Sequence, residues 1–189
     1  DVTQALGRIP LDLAGADLAH VDLSGANLMN TCLRGANLRG ATLKSAKLSH
    51  ANMVGCDCRE ADFSGADLGN ADLGDCDFRA ATLVKANLRF VKAVNVEAAE
   101  ANLSGADLSL ATLRARFSDA NLSYANLKGA DCSTCNFRGA KLQHADFTGG
   151  NLTGATVVDA DLTDAKDIRG QAFPRPVAKT ARPWWKVWG

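Results

Sequence analysis

Apolar side chains recur every five residues along this chain, from Leu13 to Leu162, except for one step of four residues between Leu113 and Phe117. Of the 31 units, 25 have Leu or Phe at their centre and 22 have Ala two residues earlier. An amphipathic helix needs a period of 3.6 residues and a half-buried strand a period of two. A period of five fits neither, so the pattern predicts a short extended piece and a bend in every unit, with the centre and the Ala both pointing inward.

The other three positions of each unit are polar or glycine, which predicts a solvated surface with corners. Glycine at the last position, as in Gly15, Gly25 and Gly35, permits backbone angles that other residues resist. A unit of this kind buries its apolar side only by stacking on copies of itself. The pattern therefore predicts a solenoid.

The repeated sequence Ala-(Asp/Asn/Thr)-Leu, as in Ala16-Asp17-Leu18 and Ala106-Asp107-Leu108, resembles the pentapeptide repeat family over most of the chain. The resemblance implies an all-β fold, a right-handed quadrilateral β-helix with four units per coil. About eight coils would span roughly 37 Å at a coil spacing of ~4.8 Å. We expect an N-terminal cap over residues 1–10, the β-helix over 11–167, and a basic tail rich in Pro and Trp over 168–189.

The pattern weakens between residues 91 and 100, where the centres shrink to Ala and the positions two residues earlier grow to Val. We expect an in-register coil here, because exchanged sizes keep the core volume roughly constant. The alternative is a ten-residue excursion that leaves the rod. The small centres are Ala93 and Ala98, and the large neighbours are Val91 and Val96.

The cysteines and histidines offer little sign of chemistry. Cys132 and Cys135 have the spacing of a redox or zinc pair, but the repeat points both into the core. We interpret the inward cysteines as apolar filler, although stacked Cys56 and Cys76 would lie within disulfide range. The histidines fall on three different faces, so they cannot share a metal. They are His20, His50 and His144.

The remaining polar residues contain no nucleophile with its base, no phosphate-binding loop and no cluster of metal ligands. The regularly spaced Asp residues are outward, where we expect them to satisfy local backbone donors. We therefore expect no catalytic residues, no cofactor site and no metal site, and predict that the chain is not an enzyme.

The formal net charge of zero combines a balance of −5 over residues 11–167 with +5 over residues 168–189. On the rod, the four-unit register places Arg39, Arg59 and Arg79 in one row, flanked by rows of Asp and Glu. We interpret this as a charge lattice that neutralises itself. The alternative is a charged face that binds a partner.

Some members of the family imitate duplex DNA and bind DNA gyrase, conferring quinolone resistance. Such mimicry needs a continuous acidic surface, because the enzyme's saddle is shaped for phosphates. Here arginines interrupt the acidic rows, so a DNA-mimicking inhibitor or protector of gyrase is the second reading. We expect no nucleic-acid partner, since the tail supplies few phosphate contacts.

Two further groups of residues are candidates for contact with a partner. Phe90 and Leu110 lie twenty apart at last positions, where polar residues or glycine are usual, so they predict an exposed apolar corner unless a terminal segment covers it. Three tryptophans with basic neighbours end the tail, and they would fold back on the rod or form a homodimer, dock a partner protein, or anchor the chain at an anionic membrane surface. They are Trp184, Trp185 and Trp188.

The sequence thus predicts a non-enzymatic protein-binding scaffold, with the tail as an attachment or self-association segment. The partner is a protein that the sequence does not identify. The chain shows no signal-peptide pattern and no run of ~18 apolar residues, so we expect a cytoplasmic location.

Overall fold

The computed structural model describes residues 11–168, which wind as a right-handed quadrilateral β-helix, as the resemblance to the pentapeptide repeat family implied. Parallel bridges join residues one coil apart, for example Asp17 to Asn37 and Asp57 to Asp77. We number the four faces by their first centres: face one begins with Leu13, face two with Leu18, face three with Leu23 and face four with Leu28. The predicted cap and residues 169–189 of the predicted tail lie outside the described residues.

Each unit ends in a tight turn at a corner of the quadrilateral. The N–H of Ala16 closes one such turn by donating to the carbonyl of Leu13 at 3.0 Å. The last residue of the unit is left-handed whether it is glycine or not, with φ +67° at Gly15 and +60° at His20. A left-handed φ costs a residue with a Cβ about 1–2 kcal/mol. Packing of the core and hydrogen bonds between successive coils therefore impose a left-handed backbone on residues with a Cβ, which disfavour it.

The Asp or Asn before each centre stabilises the turn that follows. The carboxylate of Asp12 accepts a hydrogen bond from the N–H of Ala14 at 3.0 Å, and that of Asp62 accepts one from Ser64 at 2.9 Å. These bonds satisfy donors that the turn leaves without a backbone partner. The prediction for the outward Asp residues is confirmed at these positions.

The core consists of stacked columns of Leu and Phe with Ala between them. Phe63 and Phe137 are fully buried, and the Phe137 ring lies 5.4 Å from Phe117 and 6.0 Å from Phe147 between centroids. The inward cysteines are buried free thiols, so the filler interpretation holds and no disulfide joins the stacked pair. They are Cys56, Cys58, Cys76, Cys132 and Cys135. Burial raises the pKa of the Cys58 thiol, which keeps that group neutral.

Two longer strands interrupt the pattern of single bridges. Strand β1 (Lys92–Glu97) pairs in parallel with strand β2 (Thr112–Arg116), and Lys92 itself bridges to Asp72 on the preceding coil. The weak stretch between residues 91 and 100 is therefore an in-register coil, as expected, and not an excursion.

The pairing of β1 with β2 slips by one residue between Val94 and Val96, because β2 has no residue opposite Asn95. Asn95 keeps the left-handed corner, with φ +58°, whereas no residue between Leu113 and Phe117 has a positive φ. The four-residue step in the sequence thus removes one corner of the quadrilateral.

The exchanged side-chain sizes do not fill the core completely. A cavity of about 30 Å³ lies among apolar side chains next to Ala93 and Ala98. The gap is small, and Val91 and Val96 are themselves buried in the core beside the two small centres. Among residues 11–168 no helix is long and apolar enough to cross a membrane.

Candidate functional site

The arginine row projects from face two and is paired with carboxylates of the same face. Arg59 donates through Nε and Nη2 to Asp57 at 2.8 and 2.5 Å, and Arg79 binds Asp77 in the same way at 2.9 and 2.6 Å. These hydrogen bonds lower the pKa of both carboxyls. Arg39 reaches across a coil to Glu60 at 2.8 Å.

The predicted charge lattice is therefore present on face two. The Nε of Arg59 also lies 3.7 Å from Asp77, so neighbouring coils share their charges. Exposed pairs of this kind contribute little to stability, because water and salt screen them. What they do is keep the face from presenting an uninterrupted acidic or basic surface.

Phe90 and Leu110 form an exposed apolar ledge at the corner between face four and face one, which we call the Phe90–Leu110 corner. The exposed fraction is 45% for Phe90 and 51% for Leu110. They lie on successive coils, joined through the N–H of Phe90 and the carbonyl of Ser109 at 3.2 Å. The guanidinium carbon of Arg89 stands 5.4 Å from the Phe90 ring centroid, a cation–π contact.

Glycine on the next coil makes room for Leu110. A Cβ added to Gly129 would lie only 2.7 Å from Cδ2 of Leu110, so the leucine rests on bare backbone. Beside it runs a shallow groove bounded by Arg89 and Lys128. Within residues 11–168 nothing covers this corner.

A second exposed aromatic position, missed by the sequence reasoning, lies at the corner between faces three and four. The ring of Tyr124 stacks on His144 with centroids 4.6 Å apart, and Tyr124 is 66% exposed. Both are last-position residues twenty apart, so the same test that found Phe90 and Leu110 could have found them. Nδ1 of His144 also lies 3.7 Å from Asp164.

The other candidates do not converge on a site. His20 lies over Gly40 at the corner between faces two and three, and the described residues hold no group of three or more His, Cys, Asp or Glu able to bind a metal. The three tryptophans of the tail lie outside the described residues. They are Trp184, Trp185 and Trp188.

The chain is similar to proteins of known structure. One is HetL, a pentapeptide repeat protein involved in heterocyst differentiation regulation in the cyanobacterium Nostoc sp. strain PCC 7120; it is 25% identical, with 92% of this chain and 96% of HetL covered and a TM-score of 0.48. A trypsin-treated variant of QnrB1, a plasmid-mediated fluoroquinolone resistance protein, is 22% identical, with 83% and 89% covered and a TM-score of 0.59. No curated protein sequence matches.

The family model described as Pentapeptide repeats matches this chain in eight copies. The matched segments are residues 12–44, 43–79, 81–114, 115–154 and 135–166. They cover nearly all of the coils, including the irregular pair that contains β1 and β2. This chain therefore belongs to the pentapeptide repeat family.

Proposed function

We propose that this protein is a non-enzymatic scaffold that binds a protein partner, with the Phe90–Leu110 corner as its main contact. The observation that carries the proposal is the exposure of two apolar side chains, 45% and 51%, at the same corner of successive coils. Adjacent exposed apolar groups of this size on a soluble surface are typical of contact sites. Aromatic and large aliphatic groups also dominate the binding energy of protein interfaces.

The backbone supports the same reading. Phe90 and Leu110 have φ values of +59° and +58°, where glycine would be less strained. Many other corners of this rod do carry glycine, so the fold itself does not require bulky residues there. Side chains that strain the backbone and stay about half exposed are explained if a partner buries the exposed half.

The charges on face two favour this reading over DNA mimicry. Four of its carboxylates are bound to arginines, so no continuous acidic track runs along that face. The similarity to QnrB1 concerns the fold, and gyrase binding remains the second reading. A supercoiling assay with purified gyrase tests it, and inhibition or quinolone protection at micromolar protein would favour it over the scaffold.

The main experiment is affinity capture from native lysate, read by mass spectrometry and followed by calorimetry with the purified partner. The bait is the full chain, compared with the double substitution Phe90→Gly/Leu110→Gly. Tyr124→Gly is the matched control, because it removes an exposed aromatic ring from a left-handed corner elsewhere. We expect the double substitution to abolish capture and the control to retain it.

A truncation after Gly170 separates the corner from the tail. Retention of the partner by the truncated chain places recognition on the rod, as proposed. Loss of the partner on truncation, with full retention by the double substitution, would overturn the proposal and assign recognition to the tail. Liposome co-sedimentation of full-length and truncated chains tests the membrane reading. Binding that is lost with the tail would support that reading, and absence of tail-dependent binding would exclude it.

A further inference from the structure

The missing corner residue changes which way two arginines point. In strand β2 the chain runs straight from Arg114 to Arg116, so both side chains are exposed while Ala115 between them is 4% exposed. Alternation along a strand places residues two apart on one side, with Cα atoms about 7 Å apart. On the coil above, a corner separates the equivalent residues, Val94 and Glu97, and directs them to different faces.

A notch opens where the corner would have been. The corner residues Asn95 above and Thr134 below are two coils apart, about 10 Å at the usual strand spacing, with no corner residue between them. The resulting concavity has a volume of about 330 Å³. It is lined by Asn95, Val96, Glu97, Arg114, Ala115, Arg116 and Thr134.

The notch also leaves hydrogen-bonding groups without their usual partners. At a normal corner the last residue donates its N–H to the next coil, as Thr134 does to the carbonyl of Thr153 at 3.1 Å. Because one corner residue is absent, no backbone N–H of residues 11–168 donates to the carbonyl of Ser133. Within the same range Arg114 forms no ion pair, although Arg116 binds Glu97.

Asp131, an acidic residue of face one on the next coil, does not form an ion pair with Arg114. The carboxylate of Asp131 accepts hydrogen bonds from the N–H of Ser133 at 3.1 Å and from Nδ2 of Asn151 at 3.0 Å. It lies within the field of Arg114 but outside ion-pair distance. The five donors of the Arg114 guanidinium thus face the notch and solvent.

We propose that this notch binds a carboxylate side chain of the protein partner, held by Arg114 with Arg116 as the second donor. A guanidinium matches a carboxylate through two parallel hydrogen bonds, which a lysine cannot reproduce. The pairing of Glu97 with Arg116 indicates that a carboxylate is accommodated at the rim. The inference rests on the proposed function, since it names the chemistry of that partner.

The notch and the Phe90–Leu110 corner lie at opposite edges of face one on the same two coils. Asn95 is the fifth residue after Phe90, so the two edges are at most about 17 Å apart. One partner segment can therefore place an apolar side chain on the corner and an acidic side chain in the notch. The partner is predicted to be an acidic segment with a large apolar anchor.

The test uses the 15N-labelled full chain and a hexaglutamate peptide, followed through the Nε–Hε resonances of the arginine side chains. Substitution of Arg114, Arg116 and Arg138 by Lys assigns the three resonances. We expect saturable shifts at Arg114 and Arg116 and none at Arg138, an exposed arginine on face two without an ion pair in the described range. The readout at individual side chains separates the notch from the basic tail.

The decisive variant inserts one glycine after Arg114, which restores the five-residue step and keeps both arginines. We expect the rod to stay folded, by its circular dichroism, and both shifts to disappear because the corner fills the notch. Arg114→Gln should weaken binding at Arg116 about tenfold, whereas Arg138→Gln, with the same change of charge, should change it less than about twofold.

Equal shifts in the wild type and the insertion variant would overturn the proposal, since the notch would then play no part. Shifts with inorganic phosphate but none with hexaglutamate would assign the notch to a free anion and would also overturn it. Neither result depends on the lysate partner. The Phe90→Gly/Leu110→Gly experiment can therefore fail or succeed independently.

Discussion

In the regular coils and in the irregular pair of coils that contains β1 and β2, the centres stack in the same columns. The two regions differ in the residues that surround those centres. In the regular coils, an Asp or Asn before most of the centres caps the next turn, and Leu or Phe fills most of the core. Along β1 and β2 three of the four residues before the centres are charged, two centres are Ala, and one corner is missing. Those residues before the centres are Lys92, Glu97, Thr112 and Arg116.

The difference shows where stacking alone dictates the residue and where it does not. A regular coil is explained by its neighbours, because every position repeats a contact made twenty residues away. The irregular pair keeps a small cavity and an interrupted edge, both of which reduce stability. The exposed Phe90–Leu110 corner and the Arg114–Arg116 notch both border this pair, and for that reason we propose face one as the recognition surface.

The largest expected effect comes from removing a large centre in a regular column. Phe137→Ala deletes a fully buried ring that packs between Phe117 and Phe147. We expect the free energy of unfolding to fall by about 3–5 kcal/mol, measured by urea denaturation. A loss below ~1 kcal/mol would mean that the stacked columns do not carry the stability of the rod.

Acid should weaken the turns of the regular coils next. The Thr148 hydroxyl, helped by the Thr148 N–H and by Lys128, lowers the pKa of Asp146 to about 2. A carboxyl with a folded pKa below its unfolded value of about 3.9 stabilises the fold fully above that value. Its contribution is lost as the pH falls through the folded pKa, so the melting temperature should drop between about pH 4 and pH 2.

Asp146→Asn provides the control for this titration, because the repeat itself uses Asn at equivalent positions such as Asn126. The variant keeps the hydrogen bond to the turn but has no carboxyl to protonate. Its melting temperature should change less with pH over the same interval. Identical pH profiles would show that this carboxyl contributes nothing to the acid response.

An intermediate effect separates the Phe90–Leu110 corner from an ordinary corner. Gly129→Ala adds a Cβ to a residue with φ +63° and displaces Leu110, whereas Gly35→Ala meets nothing within 4 Å at φ +66°. We expect a loss of about 1 kcal/mol for Gly35→Ala and up to ~2 kcal/mol for Gly129→Ala. In a Leu110→Ala background the losses caused by Gly35→Ala and Gly129→Ala should become equal. A persistent difference would contradict the contact between Gly129 and Leu110.

The smallest expected effect is a gain within the irregular pair. Ala98→Cys extends a centre into the 30 Å³ cavity, using the residue that already occupies the same column at Cys58. We expect the free energy of unfolding to rise by about 0.5 kcal/mol, since the added sulfur gains contacts without displacing a neighbour. Destabilisation by the same substitution would show that the cavity cannot accept even one atom.

The period of five predicted a solenoid and the inward cysteines, and the resemblance to the pentapeptide repeat family added the four-sided β-helix and with it the register of Ala93 and Ala98. It also predicted the exposure of Phe90 and Leu110, because every last position has the same orientation. It did not predict the notch, since a deletion in the sequence says that a residue is absent and not how the backbone closes the gap. The path that the backbone takes across the missing corner depends on the coils above and below, and so on the tertiary structure.

The sequence by itself determined the rod, because identical units have one way to bury their apolar sides and that way is to stack. Tertiary structure decided the details in which unlike residues meet. It paired Arg59 with Asp57, set Leu110 on Gly129, left a cavity beside Ala98 and turned Arg114 and Arg116 to the same side. The physical reason is that the stacking contact is the same in every unit and so follows from the repeat, whereas a gap, a charge pair or an exposed apolar corner depends on which unlike side chains meet at one place.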